Sequence, residues 1–205
     1  MKNWETACQW QTTLTLQQAW RAQPEPDFLP ATVRVGWTDE ALVVLADLSD
    51  ADIHNPVTQF NEPAFQHGDA FEIFLRPDGQ DAYFEFHVTP DNCVLQLRFP
   101  SVQLVGEQRA KPGGLVIDHF KIAPQRIATQ TRVSPERQLW QVLATVPYAL
   151  VVEGEPMQPG HSWLMAFARY DYTRGRKLPV LSSTAAHRVV DFHRPEDWTR
   201  ITWTK

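Results

Sequence analysis

The most constraining feature of the sequence is an alternation of apolar and polar residues with a period of two, which recurs along most of the chain. It is clearest at residues 83–89, where Phe84, Phe86 and Val88 alternate with more polar side chains. Because successive side chains of a β-strand point to opposite faces, this pattern predicts strands that bury one face. Helical periodicity is weak, and only residues 16–22 are predicted to form one or two helical turns.

Turn residues separate these alternating segments at short intervals. Asp78 and Gly79 stand between two of them, and the Pro-Asp-Asn sequence of residues 90–92 follows the second. Strands are predicted at residues 33–37, 42–46, 70–75, 83–89, 93–99, 115–117, 127–132, 139–146, 162–170 and 199–204. Short strands at this spacing favour two packed sheets. The sequence therefore predicts an all-β antiparallel sandwich of the jelly-roll type, with few or no helices.

The chain contains no internal repeat, low-complexity tract or linker, and its 205 residues suit one large β domain. We therefore predict a single domain over residues 1–205. The formal net charge of −5 provides no basic surface for phosphates, so nucleic acid is not an expected partner. No apolar run approaches the roughly 20 residues that span a bilayer, so no association with a membrane is expected.

The N-terminal segment lacks the apolar core of a secretion signal. If Met1 is the native start, we expect a cytoplasmic protein, and otherwise a secreted or periplasmic one. Cys8 and Cys93 have no metal-ligand spacing. They are interpreted as free thiols, with a single bridge left open.

Catalytic patterns are sparse. The chain has no Gly-x-Ser-x-Gly motif, and a polar loop explains the hydroxyl cluster of residues 182–184 near His187. Glu72 and Glu85 lie on neighbouring predicted strands, where two carboxylates could serve a glycoside hydrolase. Because polar residues are expected on any solvent-facing sheet surface, we assign no catalytic residue.

Metal ligands are not arranged in a short motif. The seven histidines show no His-x-x-x-His spacing, so a zinc site would have to be assembled from distant residues. Four side chains after a predicted strand could supply oxygen ligands to a structural calcium ion: Asp47, Asp50, Asp52 and Asn55. A solvated turn is the commoner explanation of such a cluster.

Aromatic residues are the most suggestive feature for function. Aromatic rings stack on the flat C–H faces of sugars, while carboxylate, imidazole and guanidinium groups bind the hydroxyls. Phe65 lies in the polar segment 61–68, and Phe192 lies within the polar segment 191–194, where a buried ring is not required. The alternative is that each ring belongs to the core, because phenylalanine is among the more buried residue types.

Several segments, taken in order, resemble the family 9 carbohydrate-binding modules. The family's Asp-x-x-Glu-x-Phe pattern is matched from Asp69 to Phe74, and its Phe-His-x-Pro-Glu pattern is matched by residues 192–196. The segments that carry the resemblance are residues 33–44, 68–75, 83–90, 163–171 and 191–198. The resemblance implies a β-sandwich related to the sugar- and haem-binding domains of the DOMON type, and a non-catalytic carbohydrate-binding function.

The resemblance also implies a site, because such modules hold a sugar between two aromatic rings beside polar residues of the adjoining sheet. By motif position, Phe65 (or Gln66) and Phe192 would supply the rings, where the family usually has tryptophan. Both rings are expected to stand clear of the hydrophobic interior and to flank an open groove. The implied ligand-binding residues are Phe65, Glu72, His87 and Phe192, with Glu72 and His87 contacting hydroxyls. We add Arg169, on the predicted strand before the final loop, as a further ligand-binding candidate.

The expected partner is a mono- or oligosaccharide, and no cofactor is required, with the structural calcium considered above left open. Three alternatives remain. The first is a glycoside hydrolase or a hydrolase-associated domain, and the second is an interaction domain with a degenerate sugar site. The third is a haem-binding redox domain, which needs axial histidine or methionine ligands and is disfavoured because Met157 and Met165 are the only internal methionines.

Overall fold

The computed structural model describes residues 4–152 and 158–204. The strands in these ranges are β1 (Gln9–Thr15), β2 (Ala31–Trp37), β3 (Ala41–Ser49), β4 (Ala70–Pro77), β5 (Tyr83–Val88), β6 (Val94–Phe99), β7 (Ala128–Ser134), β8 (Leu139–Pro147), β9 (Ser162–Asp171), β10 (Val180–Ser183) and β11 (Thr199–Thr202). The helices are α1 (Val102–Arg109) and α2 (Tyr148–Val151), and 3₁₀ turns occur at Trp4–Thr6, Ala64–Gln66, Ile117–Phe120, Pro135–Arg137 and Pro195–Asp197. Within these ranges, no helix has the length and apolar character needed to span a bilayer.

The strands pair into two antiparallel sheets. Sheet A has the order β1-β2-β3-β8-β7, and sheet B has the order β10-β9-β4-β5-β6. Strands β10 and β11 share one edge of β9, since β10 pairs with residues 168–171 and β11 pairs with residues 162–165. The predicted all-β antiparallel sandwich is confirmed.

The main core lies between the two sheets. Phe84, Phe86 and Val88 of β5 belong to this core, as their alternation predicts, and none is more than 2% exposed. They form one apolar cluster with Val44 of β3 and Trp140 of β8. Burial of each such side chain stabilises the fold by about 1.5–3 kcal/mol. Because this core fixes one face of β5, the residues between these three must point to the outer face of sheet B.

The outer face of sheet B is covered as well. It carries a second apolar cluster that includes Phe74 of β4 and Leu97 of β6. Val105 of α1, together with Phe192 and Trp198, completes the cover, so α1 and the connection 184–198 lie over this face. The polar side chains of the outer face are therefore enclosed by protein.

The structure corrects two local predictions. Residues 16–22 do not form a helix, because the Leu16 amide donates to the Ala31 carbonyl and the Gln17 backbone pairs with Ser183. Residues 115–117 do not form a strand. They follow two glycines with positive φ, Leu115 and Ile117 pack on the outer face of sheet B while Val116 is exposed, and a 3₁₀ turn begins at Ile117.

Candidate functional site

A cavity of about 510 Å³ opens on the outer face of sheet B. Side chains of β4, β5 and β6 form its floor. Its walls come from the Ala64–Gln66 turn, α1, β9 and the connection 184–198. Three of the residues predicted to bind a ligand line this cavity: Phe65, Glu72 and Phe192. His87, a fourth, lies directly beneath Phe65, with the two ring centres 5.2 Å apart.

Three aromatic rings form one wall of the cavity. Tyr170 of β9 lies between the other two, with its ring centre 5.5 Å from Phe65 and 6.0 Å from Phe192. Phe65 is half-buried, so part of its ring faces the cavity. Phe192 is only 6% exposed, because it also packs on Trp20 and Phe74. The expectation that Phe192 stands clear of the apolar interior is therefore wrong, although the ring does line the cavity.

The floor of the cavity holds two carboxylates on either side of one imidazole. The antiparallel register of β4 and β5 places Glu72 opposite His87, and Glu85 points to the same face two residues earlier. His87 Nδ1 lies 3.3 Å from Glu72 Oε1, and His87 Nε2 is hydrogen-bonded to Glu85 Oε1. All three residues are at most 4% exposed.

A second imidazole extends this cluster toward the cavity wall. His193 Nε2 lies 3.6 Å from Glu85 Oε2, and its Nδ1 lies 2.8 Å from the Tyr83 hydroxyl. Nearby, Arg109 of α1 lines the cavity and makes a 2.9 Å ion pair with Asp191. A continuous line of polar groups thus runs from the floor to the wall.

Burial and mutual charge set the protonation of the floor. Burial raises the pKa of Glu72 to about 8, with partial compensation from His87. Burial also acts on Glu85, but the imidazoles of His193 and His87 outweigh it and hold the pKa of Glu85 below its ordinary value. Burial opposes charge on His87, but the two carboxylates outweigh it and raise the pKa of His87. These shifts favour a protonated Glu72 beside an ion pair of Glu85 and His87.

Arg169, the fifth predicted binding residue, is not brought to this cavity. Its neighbour Ala168 is opposite Glu72 in the register of β9 and β4, so Arg169 points to the other face of sheet B. Its guanidinium donates to the Ser49 carbonyl at 2.6 Å and pairs with Asp50 and Asp171 at 3.2 and 2.7 Å. The residue is 1% exposed, and its contacts hold the two sheets together.

The predicted calcium ligands do not converge on one point. Asp47 pairs with Arg34, Asp52 pairs with Arg174, and the Asn55 amide donates to two backbone carbonyls. Asp50 instead meets two other buried carboxylates, those of Asp69 and Asp171. Because the Arg169 guanidinium already contacts Asp50 and Asp171, this trio fits a protein cation rather than calcium.

The remaining motifs serve structure. Among the described residues, the hydroxyls of Ser183 and Thr184 accept hydrogen bonds from the amides of Ala185 and Phe167. His187 lies 3.4 Å from Asp197, which gives it a carboxylate partner away from those hydroxyls. Met165 is fully buried in the inter-sheet core, and Met157 lies outside the described residues. Both cysteines carry free thiols.

Some cavity residues have no ligand-binding prediction from the sequence. Glu85 is two residues from His87 on β5, so the alternation of that strand already places both side chains on this face. Tyr170 could be found in the same way, because it is two residues from Ala168 on β9, and Ala168 lies opposite Glu72. Arg109 and His193 come from a helix and a loop, and only the folded chain brings them to the cavity wall.

Comparisons with known proteins find no matching family profile and no matching curated protein. Solved structures do match. A candidate carbohydrate-binding protein from Bacteroides uniformis ATCC 8492 aligns with a TM-score of 0.67 and 14% identity, over 94% of this chain and 86% of that one.

A family 9 carbohydrate-binding module from Caldicellulosiruptor kristjanssonii also matches. Its complex with cellotriose aligns with a TM-score of 0.58 and 17% identity, over 85% of this chain and 74% of that one. Its complex with glucose gives the same TM-score and identity, over 85% and 76% of the two chains. This chain therefore has the fold of a family 9 carbohydrate-binding module, as the resemblance in the sequence predicts.

Proposed function

We propose that the outer face of sheet B binds a mono- or oligosaccharide without catalysing its hydrolysis. One observation carries this proposal: an aromatic wall and a polar floor border the same cavity. Phe65 and Tyr170 offer ring surface, while Glu72 and Glu85 offer oxygen atoms at the base. This is the combination that a sugar requires, with apolar faces and a rim of hydroxyls.

The protonation of the floor suits hydroxyl recognition. A protonated Glu72 both donates and accepts hydrogen bonds, whereas an ionised Glu85 accepts only. A sugar hydroxyl can do both, so these carboxyl groups complement it. The volume of about 510 Å³ is within the usual range for small-molecule pockets, roughly 300–1,000 Å³.

The structural neighbours support the same class of ligand. One has been solved with cellotriose and with glucose, and another is a candidate carbohydrate-binding protein. At 14–17% identity they share the fold with this chain, so its ligand is inferred from its own cavity. Phenylalanine presents a smaller face than tryptophan, so we expect modest affinity.

The test is a binding screen against a glycan array, followed by calorimetry with glucose and cellotriose. Phe65→Ala removes the half-buried ring, and we expect it to weaken binding about 2- to 13-fold, since an aromatic contact contributes about 0.5–1.5 kcal/mol. Phe60→Ala is the matched control, because Phe60 is 39% exposed and lies outside the cavity. Failure of every glycan to bind, or equal losses in the two variants, would contradict the proposal.

Glycoside hydrolysis is the second candidate, and the opposite pKa shifts of Glu72 and Glu85 favour it. A carboxylic acid beside a carboxylate is the usual pair for such chemistry. However, oxygens of the two groups come within 4.8 Å, and His87 lies between the side chains, which leaves little room for a glycosidic bond. Turnover of aryl glycosides that disappears in Glu72→Gln would establish hydrolysis and displace simple binding.

A further inference from the structure

We propose that Glu72, Glu85 and His87 bind a divalent transition-metal ion of the zinc type at the floor of the cavity. This inference goes beyond sugar binding and stands independently of it. The three side chains are here called the floor triad. They come from two adjacent strands, so the register of β4 and β5 fixes their relative positions.

The spacing of the floor triad suits one small ion. Each residue offers a ligand atom, and all three atoms lie within 4.8 Å of one another. Zinc binds nitrogen and oxygen ligands at about 2.0–2.2 Å, so two ligands of a tetrahedral site are about 3.4 Å apart. His87 Nδ1 and Glu72 Oε1 are 3.3 Å apart, which matches that spacing for this pair, whereas Glu85 is hydrogen-bonded to Nε2 and its carboxylate must turn to reach the same ion.

Two buried atoms of the floor triad lack a hydrogen-bond partner among the described residues: Glu85 Oε2 and His87 Nδ1. Glu85 is 4% exposed and His87 is 1% exposed. A buried polar atom without a partner costs about 1–3 kcal/mol, so two in one cluster call for an explanation. A cation bound on the Glu72 side of His87 would engage Nδ1 when that nitrogen is deprotonated, and Glu85 Oε2 would join it if the Glu85 carboxylate turned away from Nε2.

The charge of the floor triad points the same way. Two carboxylates surround one imidazole, and the guanidinium of Arg109 is already engaged by Asp191 at 2.9 Å. A divalent ion would displace the protons of Glu72 and His87, and it would then neutralise both carboxylates and leave His87 as a neutral ligand. Mixed imidazole and carboxylate ligands are typical of zinc, and three protein ligands leave a fourth position open. Glu72 and Glu85 line the cavity, so that position faces the space where a water or a sugar hydroxyl fits.

His193 acts as an outer partner of this site. Its Nε2 lies 3.6 Å from Glu85 Oε2, while its Nδ1 is held by the Tyr83 hydroxyl at 2.8 Å. Such groups orient metal-binding carboxylates and adjust their basicity. Without an ion, a protonated His87 would instead pair with both carboxylates. The experiment must distinguish this arrangement from the metal-bound one.

The experiment is a titration of EDTA-stripped, dialysed protein with Zn²⁺ by calorimetry and with Co²⁺ by visible absorption. We expect one ion per chain and the absorption bands of low-coordinate Co²⁺. Glu72→Gln and Glu85→Gln preserve side-chain volume, and each should weaken binding at least 10-fold. The control is His119→Gln, because His119 is exposed and lies outside the cluster, and its affinity should equal that of the wild type.

His87→Gln removes the nitrogen ligand and should abolish the Co²⁺ bands. Melting curves recorded in EDTA verify that each variant is folded. If His87→Gln does not fold, the two glutamate variants decide whether the floor triad binds the ion. The absence of stoichiometric binding to the wild type, or binding retained in both glutamate variants, would overturn the proposal. Since the titration uses no sugar, and the glycan screen can be run in EDTA, the two proposals can fail separately.

Discussion

Replacing Arg169 by leucine removes the cation that lies between the two sheets. The guanidinium pairs with Asp171 at 2.7 Å and with Asp50 at 3.2 Å, and it donates to the Ser49 carbonyl at 2.6 Å. Leucine fills part of the space but satisfies none of these oxygens. Asp50 and Asp171 would remain buried, with Asp69 close by and no cation between them.

The cost follows from the burial of this network. Removing one partner of a buried ion pair typically costs about 3–5 kcal/mol, because the other charge stays desolvated. For a chain of this length, each kcal/mol lowers the melting temperature by about 2–4 °C, so the expected fall is roughly 6–20 °C. The matched control is Arg176→Leu, which breaks the exposed pair with Asp27 and should cost less than about 1 kcal/mol.

The loss should depend on pH. Burial raises the pKa of Asp171 to about 7 and, with Asp50 nearby, that of Asp69 to about 8. A carboxyl whose folded pKa is raised stabilises the fold at low pH and loses that contribution as the pH rises through the folded value. Arg169 lowers the pKa of Asp171, so without it that pKa rises further, and the deficit measured by urea unfolding should be smaller at pH 5 than at pH 8.

Glycan binding provides an independent check of the same substitution. Because Arg169 faces away from the cavity, the folded variant should bind sugar as the wild type does, measured well below its melting temperature. A stability loss below 1 kcal/mol, or a loss that is equal at both pH values, would refute the electrostatic reasoning. A selective loss of sugar binding would restore Arg169 as a ligand-binding residue.

Three further substitutions test the packing and charge of the outer face. Phe192→Ala should lower the free energy of unfolding, measured in urea, by about 3 kcal/mol. This is the low end of the usual cost of a Phe→Ala substitution in a core, because one edge of the ring already faces the cavity. A loss below 1 kcal/mol would mean that the ring is not packed. Glu72→Gln should reduce the pH dependence of the free energy of unfolding between pH 5 and 8, measured in EDTA. The reason is that the wild type loses stability as the pH rises toward the folded pKa of Glu72, about 8. An unchanged pH dependence would contradict that pKa. Gly68→Ala should cost about 1–3 kcal/mol in melting experiments, since its Cβ would lie 2.6 Å from the His54 carbonyl oxygen, and an unaltered melting temperature would show that the backbone can yield.

The sandwich could be predicted because its signals are local. The alternation in β4 and β5, with the Asp78–Gly79 turn between them, determines both the strands and their faces. Helix α1 carries no such signal, because it buries only Val105 within its span. It is recognisable afterwards from its cap, where the Ser101 hydroxyl accepts a hydrogen bond from the Leu104 amide. Strand β10 has four residues, too few to show a period.

The site was only partly predictable, because its polar residues have partners that are distant in sequence. Phe192 seemed exposed since polar residues surround it in the sequence. In the structure Asp191 pairs with Arg109, His193 contacts Tyr83, and the ring between them turns into the apolar cluster. The floor was easier to predict, because the alternation along β4 and β5 places Glu72 and His87 on one face of the sheet.

Because β10 and β11 both pair with one edge of β9, the floor of the cavity and the connection 184–198 differ in how far their sequences can change. The floor belongs to paired strands, where a substitution disturbs the register and the core behind it. The connection 184–198 leaves the sheet after β10 and returns before β11, so its exposed positions can vary while both anchoring strands and the buried Phe192 and Trp198 stay in place. Selectivity for a ligand can therefore evolve through exposed residues such as Val190, which lines the cavity, at little expense to the stability of the scaffold.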